Sequence, residues 1–157
     1  MRLLSETSSG GVHEQLFLVD DVPGVLWSPD GTGGARPLVL LGHGDRPVDE
    51  ELNRIATENQ ARVSAGAELA PLIAGFQALV ARRTVPEWQR CVDAVQELGH
   101  VGAGPAGYWG VSLGCGLGVP FVAAEPRIRA AVLGLGGALA SAEAAARITV
   151  PVQFLVQ

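Results

Sequence analysis

The fold of this chain can be inferred from the stretch Ala106-Gly-Tyr-Trp-Gly-Val-Ser-Leu-Gly-Cys-Gly-Leu-Gly118. Its first part, Tyr108 to Val111, contains residues that favour a β-strand. The segment Gly110 to Gly114 fits the pattern G-x-S-x-G around Ser112. The small residues that follow predict a helix that ends at Val119, just before a proline. The stretch therefore predicts a strand, a tight turn at a serine and a helix.

A serine in such a turn has strained backbone dihedral angles, and its hydroxyl projects away from the sheet. The glycines two residues before and after it are needed because side chains there would collide. The N–H groups at the start of the helix also favour an anion that forms beside the serine. Ser112 is therefore predicted to be a nucleophile. The alternative is a plain glycine-rich turn, since the pattern arises easily in a chain with 21 glycines.

Composition limits the class of protein. The chain has 157 residues, 48% of them hydrophobic, which predicts one domain with a sizeable core. The net charge of −5 argues against a nucleic-acid partner, because no basic stripe is available to neutralise phosphates. Cys91 and Cys115 have no metal-ligand spacing, and no zinc motif occurs. The G-x-G-x-x-G match at Gly102–Gly107 precedes a strand instead of following one, so no dinucleotide and no other cofactor is predicted.

Targeting signals are not found in the sequence either. Residues 1–12 contain no apolar leader segment, and no uninterrupted apolar run is long enough to span a bilayer. The sequence therefore predicts a cytoplasmic protein that does not bind membranes.

The first forty residues predict a small antiparallel element followed by a buried strand. Residues 1–11 are predicted to be a loose tail. His13–Val19 and Val22–Ser28 are predicted to be antiparallel strands at the edge of the sheet, with the turn at Asp20-Asp21 between them. The continuous apolar run Leu38–Leu41 is typical of a parallel strand that is buried on both faces.

The remaining pattern alternates helices and strands. A helical pattern runs from Val48 to Arg82 with a break near its middle, and a capping box at Thr84–Glu87 predicts that a separate helix begins there. Beyond the serine turn, Ile128–Leu135 and Val150–Val156 are predicted strands, with a short helix over Ala138–Arg147 between them. This order predicts right-handed βαβ units, and hence an α/β fold with three layers and a mostly parallel sheet.

Three features together carry a resemblance to a known family. They are the loop His43-Gly44 after the first buried strand, the G-V-S-L-G segment around Ser112, and the strand Val150–Val156. With them, the chain from about Val22 to Gln157 resembles the α/β-hydrolase superfamily, and within it bacterial esterases of the dienelactone-hydrolase type. The resemblance implies a three-layer α/β-hydrolase fold.

The resemblance also implies roles for individual residues. The backbone N–H of Leu113 and one at Gly44 would form the oxyanion hole, which is often the largest single catalytic contribution. The alternative for the loop at Gly44 is an ordinary strand-end turn. Dienelactone hydrolases carry cysteine as the nucleophile. Serine at position 112 instead favours a serine esterase that cleaves a small-molecule ester or lactone.

One feature departs from the family. Its catalytic triad runs in the order nucleophile, acid, histidine. The acids that follow Ser112 are Glu125 and Glu143, and every histidine precedes it. Because an unactivated serine hydroxyl is a weak nucleophile, two hypotheses stay open. The first is a serine esterase represented by an incomplete chain, and the second is a non-catalytic hydrolase-like binding protein. A histidine donated by a partner chain is a third and more remote alternative.

The topology of the family gives a further expectation about the chain. Residues 1–157 are expected to form a single but incomplete α/β-hydrolase domain, with further sequence beyond Gln157. No strand-like run occurs over residues 45–100, although the family has another strand before the serine turn. We therefore expect a helix and a strand to be missing near Gly44-Asp45. Consecutive Cα atoms between His43 and Arg46 should then lie farther apart than the roughly 3.8 Å of a trans peptide.

Overall fold

The computed structural model describes residues 1–31, 34–42, 50–135 and 142–155. The chain divides into two compact units. The first unit consists of Met1–Leu38 and Pro86–Pro105, and the second of Val39–Val85 and Ala106–Gln157. The single domain expected over the whole chain stays a prediction.

An antiparallel sheet of three strands lies in the first unit. Its strands are β1 (Arg2–Ser9), β2 (Val12–Val19) and β3 (Val22–Pro29), in the order β1-β2-β3. β2 and β3 form the predicted antiparallel pair, and the chain reverses at Asp20 with a φ of 53°. The predicted place of this pair at the edge of the main sheet is wrong, because β1, β2 and β3 form a sheet of their own. The tail predicted over residues 1–11 is wrong, because β1 pairs with β2. Every residue of β1 is exposed, so backbone hydrogen bonds form this strand without the apolar alternation that would reveal it.

The second sheet has four parallel strands, as predicted. They are β4 (Arg36–Gly42), β5 (Val101–Val111), β6 (Ile128–Gly134) and β7 (Val152–Leu155), in the order β4-β5-β6-β7. In the described part of this sheet β4 is an edge strand. Val39 is 60% and Leu41 56% exposed, so the predicted burial of both faces of β4 is wrong. The three-layer arrangement stays a prediction.

Two helices form a hairpin between β4 and β5. Helix α1 spans Glu50–Ser64 and helix α2 spans Leu69–Gln96. Helix α1 ends at Ser64 and is followed by Gly66, whose φ is +93°. Gly66 N donates a hydrogen bond to Val63 O and Ala67 N donates one to Arg62 O, both 2.9 Å long. These two bonds form a Schellman motif, in which glycine adopts the left-handed conformation at low cost. The motif explains the predicted break in the helical pattern.

Helix α2 is continuous, so the separate helix predicted from the capping box at Thr84–Glu87 is wrong. Pro86 lies inside α2, although it removes one backbone hydrogen bond. Buried residues of α2 lie both before and after Pro86, namely Ala81, Thr84, Val92 and Val95. At 100° per residue these four side chains fall on one side of a single helix. Their burial favours continuation through the proline.

The last two helices flank β6. Helix α3 spans Leu113–Ala124 and helix α4 spans Ala142–Ala145. α3 contains Pro120, so its predicted end at Val119 is wrong. Eight of its twelve residues are buried, which outweighs the cost of the proline. None of the helices in the described ranges combines the length and the apolar character that a bilayer span requires.

Candidate active site

Ser112 lies in a strained turn between the end of β5 and the start of α3. Its dihedral angles are φ 55° and ψ −120°, and holding a non-glycine residue in such a region costs about 1–3 kcal/mol. The neighbouring backbone fixes the turn. Ser112 N donates a 2.9 Å hydrogen bond to Gly134 O, and Ser112 O accepts bonds from Cys115 N at 3.0 Å and Gly116 N at 3.1 Å. The strand, serine turn and helix predicted from the sequence are thus all present.

The serine is accessible to a ligand. Ser112 is exposed, and its hydroxyl makes no capping hydrogen bond to the helix that it precedes. Leu113, the first residue of α3, is 40% exposed. A helix leaves its first N–H groups without intrahelical partners, so the Leu113 N–H is available to stabilise negative charge beside the serine.

The glycines of G-x-S-x-G are required by close backbone contacts. A Cβ at Gly110 would lie 2.5 Å from Gly114 O, closer than real Cβ contacts allow. A Cβ at Gly114 would overlap with Gly42 O at the end of β4. The first contact lies within the turn, as predicted. The second joins the turn to a neighbouring strand, and nothing in the local pattern indicates it.

Tyr108 anchors the turn from inside the second unit. It is 2% exposed, and its hydroxyl donates a 2.6 Å hydrogen bond to Gly114 O. The ring occupies a slot that glycines leave open, since a Cβ at Gly42 or Gly118 would overlap with the phenol. The ring also packs against Phe121 at a centroid distance of 5.8 Å. Tyr108 therefore holds the first turn of α3 against β5, and with it the backbone that follows Ser112.

We expect Tyr108 to resist ionisation in the folded protein. Burial, and to a lesser extent the nearby Cys115, raises the pKa of Tyr108 above its ordinary value. It is the one tyrosine in the sequence. Tyrosinate absorbance at 295 nm should therefore stay flat in the folded protein near pH 10, where a free tyrosine is half ionised. The stability that burial of the neutral phenol gives is present below about pH 10 and is lost as the pH rises further.

The unfolded protein in guanidinium is the control, and its tyrosine should titrate near pH 10. The Tyr108→Phe variant should show no tyrosinate signal. It should also lose about 0.5–1.5 kcal/mol of stability, because the buried hydrogen bond from the phenol to the Gly114 carbonyl is lost. A reversible titration near pH 10 with unchanged circular dichroism would contradict the proposed anchoring.

The two acids that follow Ser112 are both engaged elsewhere. Glu125 is 3% exposed and accepts two hydrogen bonds from the Arg127 guanidinium, at 2.7 and 2.8 Å. It lies at the far end of α3 from Ser112, about 18 Å away along a helix of twelve residues. Glu143, on α4, forms an exposed ion pair with Arg147 at 3.0 Å. Glu125 is thus a structural carboxylate, and the structure does not place it at the serine.

The described histidines lie in the first unit, whereas Ser112 belongs to the second. His13 forms an ion pair with Glu6 at 3.5 Å, and His100 Nε2 is buried with no hydrogen-bond partner in the described part of the chain. The second predicted oxyanion donor, Gly44, lies outside the described residues, and so does the predicted break between His43 and Arg46. Over the described ranges, no group of three or more potential metal ligands occurs.

A cavity of about 330 Å³ lies beside the serine turn, in the second unit. It is bounded by α1, by the amino-terminal part of α2 and by α3, and we call it the helix cavity. Ten of its lining residues are apolar: Leu52, Ala56, Val63, Leu69, Leu72, Ile73, Phe76, Val80, Leu113 and Leu117. The other three are the amides Asn59, Gln60 and Gln77. The sequence predicted apolar stripes on these helices, but a stripe that faces a cavity has the same periodicity as one that faces a core.

The parallel sheet, the strained serine turn and the helix that follows define a hydrolase-like α/β fold. No family model and no curated protein matches this chain. Solved structures of a cold-adapted esterase from an Arctic intertidal metagenomic library are similar to it over 100% of its length. The identity is 26% to the PEG-bound complex, 28% to the zinc-bound form and 29% to the native form, with TM-scores of 0.66, 0.65 and 0.66. The match covers 77%, 76% and 76% of those chains, respectively.

Proposed function

We propose that this protein is a serine esterase of the α/β-hydrolase type, similar to dienelactone hydrolases but with a serine nucleophile. The observation that carries the proposal is the geometry of Ser112, which is exposed and strained at the junction of a parallel strand and a helix. Natural proteins retain such strain where the surrounding structure enforces it, and strained residues cluster at functional sites. The similarity to an esterase supports ester hydrolysis as the class of reaction.

In the proposed reaction, Ser112 Oγ attacks the carbonyl carbon of a small-molecule ester or lactone while a general base takes its proton. The carbonyl oxygen becomes an oxyanion, to which the Leu113 N–H and a backbone N–H at Gly44 donate hydrogen bonds. Collapse of this intermediate expels the alcohol, which takes up the proton, and leaves an acyl group on Ser112. Water then hydrolyses the acyl-enzyme and restores the hydroxyl.

The general base is the part of the mechanism that these residues do not supply. Glu125 is committed to Arg127, and no histidine follows Ser112 in the sequence. The proposal therefore requires a histidine and an acid from outside residues 113–157. Because Glu125 is committed to Arg127, we keep a second candidate, a hydrolase-like protein that binds a ligand in the same site without turning it over.

A covalent probe separates the two candidates. The full-length protein is incubated with a fluorophosphonate and assayed in parallel with p-nitrophenyl esters, and the adduct is located by peptide mass spectrometry. We expect ester turnover and one adduct on the peptide that contains Ser112. Exposed Ser64, whose hydroxyl bonds to Gln60 O within α1, is an internal control and should stay unmodified. A lack of both turnover and adduct would favour the binding protein.

A further inference from the structure

The helix cavity opens beside the proposed nucleophile. Its floor is formed by Leu52 and Leu117, which are 5% and 4% exposed. Its rim includes Leu113 at 40%, Leu69 at 55% and Ile73 at 41% exposure. Because Leu113 directly follows Ser112, a group attached to the serine can enter the cavity past this rim. The cavity thus begins at the residue next to Ser112 and extends toward the buried side chains of Leu52 and Leu117.

The lining of the cavity selects against charge. Among the lining residues that the structure describes, ten are apolar and three are neutral amides, so none of these carries a charged side chain. A carboxylate or ammonium group would lose much of its hydration there without gaining an oppositely charged partner, which is unfavourable. An aliphatic chain, in contrast, gains free energy from each methylene that leaves water. The chemistry of the walls therefore fits an uncharged hydrocarbon chain.

One polar atom in the cavity wall has no partner. Gln77 Oε1 is buried and accepts no hydrogen bond from any residue that the structure describes. The amide of the same side chain lies against α3, where a Cβ at Gly116 would be 3.3 Å from Gln77 Nε2. A buried acceptor without a donor is unfavourable. Because this oxygen is shielded from solvent and the amide lies against α3, it does not face the open space of the cavity, and the walls that a ligand meets there are largely apolar.

The volume of the helix cavity limits the length of the aliphatic chain that it can hold. A dry apolar cavity of about 150 Å³ accommodates a molecule of benzene, which has six carbons. The helix cavity, at about 330 Å³, is roughly twice as large but open at its rim. It therefore has room for an aliphatic chain of about six to ten carbons.

We propose that the helix cavity binds the acyl chain of the ester, and that the preferred substrates are esters of uncharged aliphatic acids of about six to ten carbons. This inference rests on the proposed function, because it assumes that the acyl group is transferred to Ser112. The inference narrows the proposed substrates from small esters in general to esters of medium-chain acids. It also gives the hairpin of α1 and α2 a role as the wall of the acyl site.

Binding can be measured without catalysis in the full-length Ser112→Ala variant. Isothermal titration calorimetry with octanamide and butanamide compares two neutral acyl groups that differ by four methylenes. Each methylene that is buried strengthens binding about fourfold, and the open rim reduces this factor. We therefore expect octanamide to bind roughly 30- to 100-fold more tightly than butanamide.

A pair of matched variants tests whether the acyl chain of octanamide binds in the helix cavity. Ala56 lines the cavity and is exposed, so tryptophan there fills the space without disturbing a packed core. Ala61 is exposed on the same helix but does not line the cavity. In the Ser112→Ala background, Ala56→Trp should weaken octanamide binding by about tenfold or more. Ala61→Trp should leave it unchanged, and circular dichroism of both variants checks the fold.

Two results would overturn the proposal. One is equal affinity for octanamide and butanamide, and the other is an equal effect of Ala56→Trp and Ala61→Trp. Failure of the proposed function gives a different pattern, in which octanamide binds in the cavity but the wild-type protein forms no adduct at Ser112. If the wild-type protein is active, Ala56→Trp should lower kcat/KM for octanoate esters by about tenfold, whereas Ala61→Trp should not lower it.

Discussion

Replacement of Ser112 by alanine should lower ester hydrolysis by roughly 10⁴- to 10⁶-fold, because the proposed nucleophile is removed. Replacement by glycine should abolish activity to the same extent but should change stability differently. Glycine adopts a φ of 55° and a ψ of −120° without the side-chain clash that costs Ser112 about 1–3 kcal/mol. Its greater backbone entropy in the unfolded state offsets part of this gain. We expect Ser112→Gly to be about 1 kcal/mol more stable than Ser112→Ala.

The measurements are initial rates with p-nitrophenyl esters and urea unfolding of the two variants. The exposed helix residue Ser64 provides the control, and Ser64→Ala should keep the activity of the wild type. If Ser112→Ala retains more than a small fraction of the activity, this result would contradict the assignment of Ser112 as the nucleophile. A glycine variant that is less stable than the alanine variant would show that the turn is not strained.

Replacement of Gly114 by alanine should destabilise the protein by about 3 kcal/mol, at the upper end of the range for overpacking. The added Cβ would overlap with Gly42 O. Because the position of the Cβ is fixed by the backbone and Gly42 O is itself a backbone atom, the strain cannot be relieved by a side-chain rotation. The same substitution displaces the first turn of α3, so activity should fall together with stability.

Gly75→Ala is the matched control for the Gly114 variant. Gly75 lies within α2, and a Cβ there would have no neighbour within 4 Å. Alanine at this position should stabilise the protein by up to about 1 kcal/mol, because alanine favours the helix over glycine. Urea unfolding of both variants gives the two free energies of unfolding. A Gly114→Ala variant as stable as Gly75→Ala would contradict the close contact between the serine turn and β4.

Elements of the fold that depend on residues close together in the sequence were predictable. The turn at Ser112 is specified by its own glycines, and β2 and β3 by apolar residues around Asp20-Asp21. β1 was not predictable, because it is exposed throughout and is formed by pairing with β2. The continuity of α2 was missed because Thr84–Glu87 has the sequence of a helix start, whereas burial on both sides of Pro86 decides the outcome.

The candidate site was predictable only in part, because some of its contacts join residues that are distant in the sequence. Ser112 and Leu113 occupy adjacent positions in one motif, so their proximity follows from the chain itself. The slot that holds Tyr108 requires Gly42, which is distant in sequence, and a glycine alone does not indicate which ring lies against it. The helix cavity depends on how α1, α2 and α3 are packed, and helical periodicity does not record a gap between helices.

The tyrosine slot has a consequence for how relatives of this protein can be recognised. G-x-S-x-G is too short to distinguish a homologous sequence from a chance match. The contacts of Tyr108 extend the pattern to Tyr-x-Gly-x-Ser-x-Gly-x-x-x-Gly over residues 108–118. The tyrosine and the glycines of this pattern each have a steric or hydrogen-bonding reason, so these positions should change together during evolution. A lineage that exchanges the tyrosine for a small residue loses the phenol contacts that require glycine at Gly118, whereas a Cβ at Gly42 would still lie 3.1 Å from Gly114 O. A genome search with the longer pattern should therefore recover homologues that retain the ring, together with the glycines that make room for it.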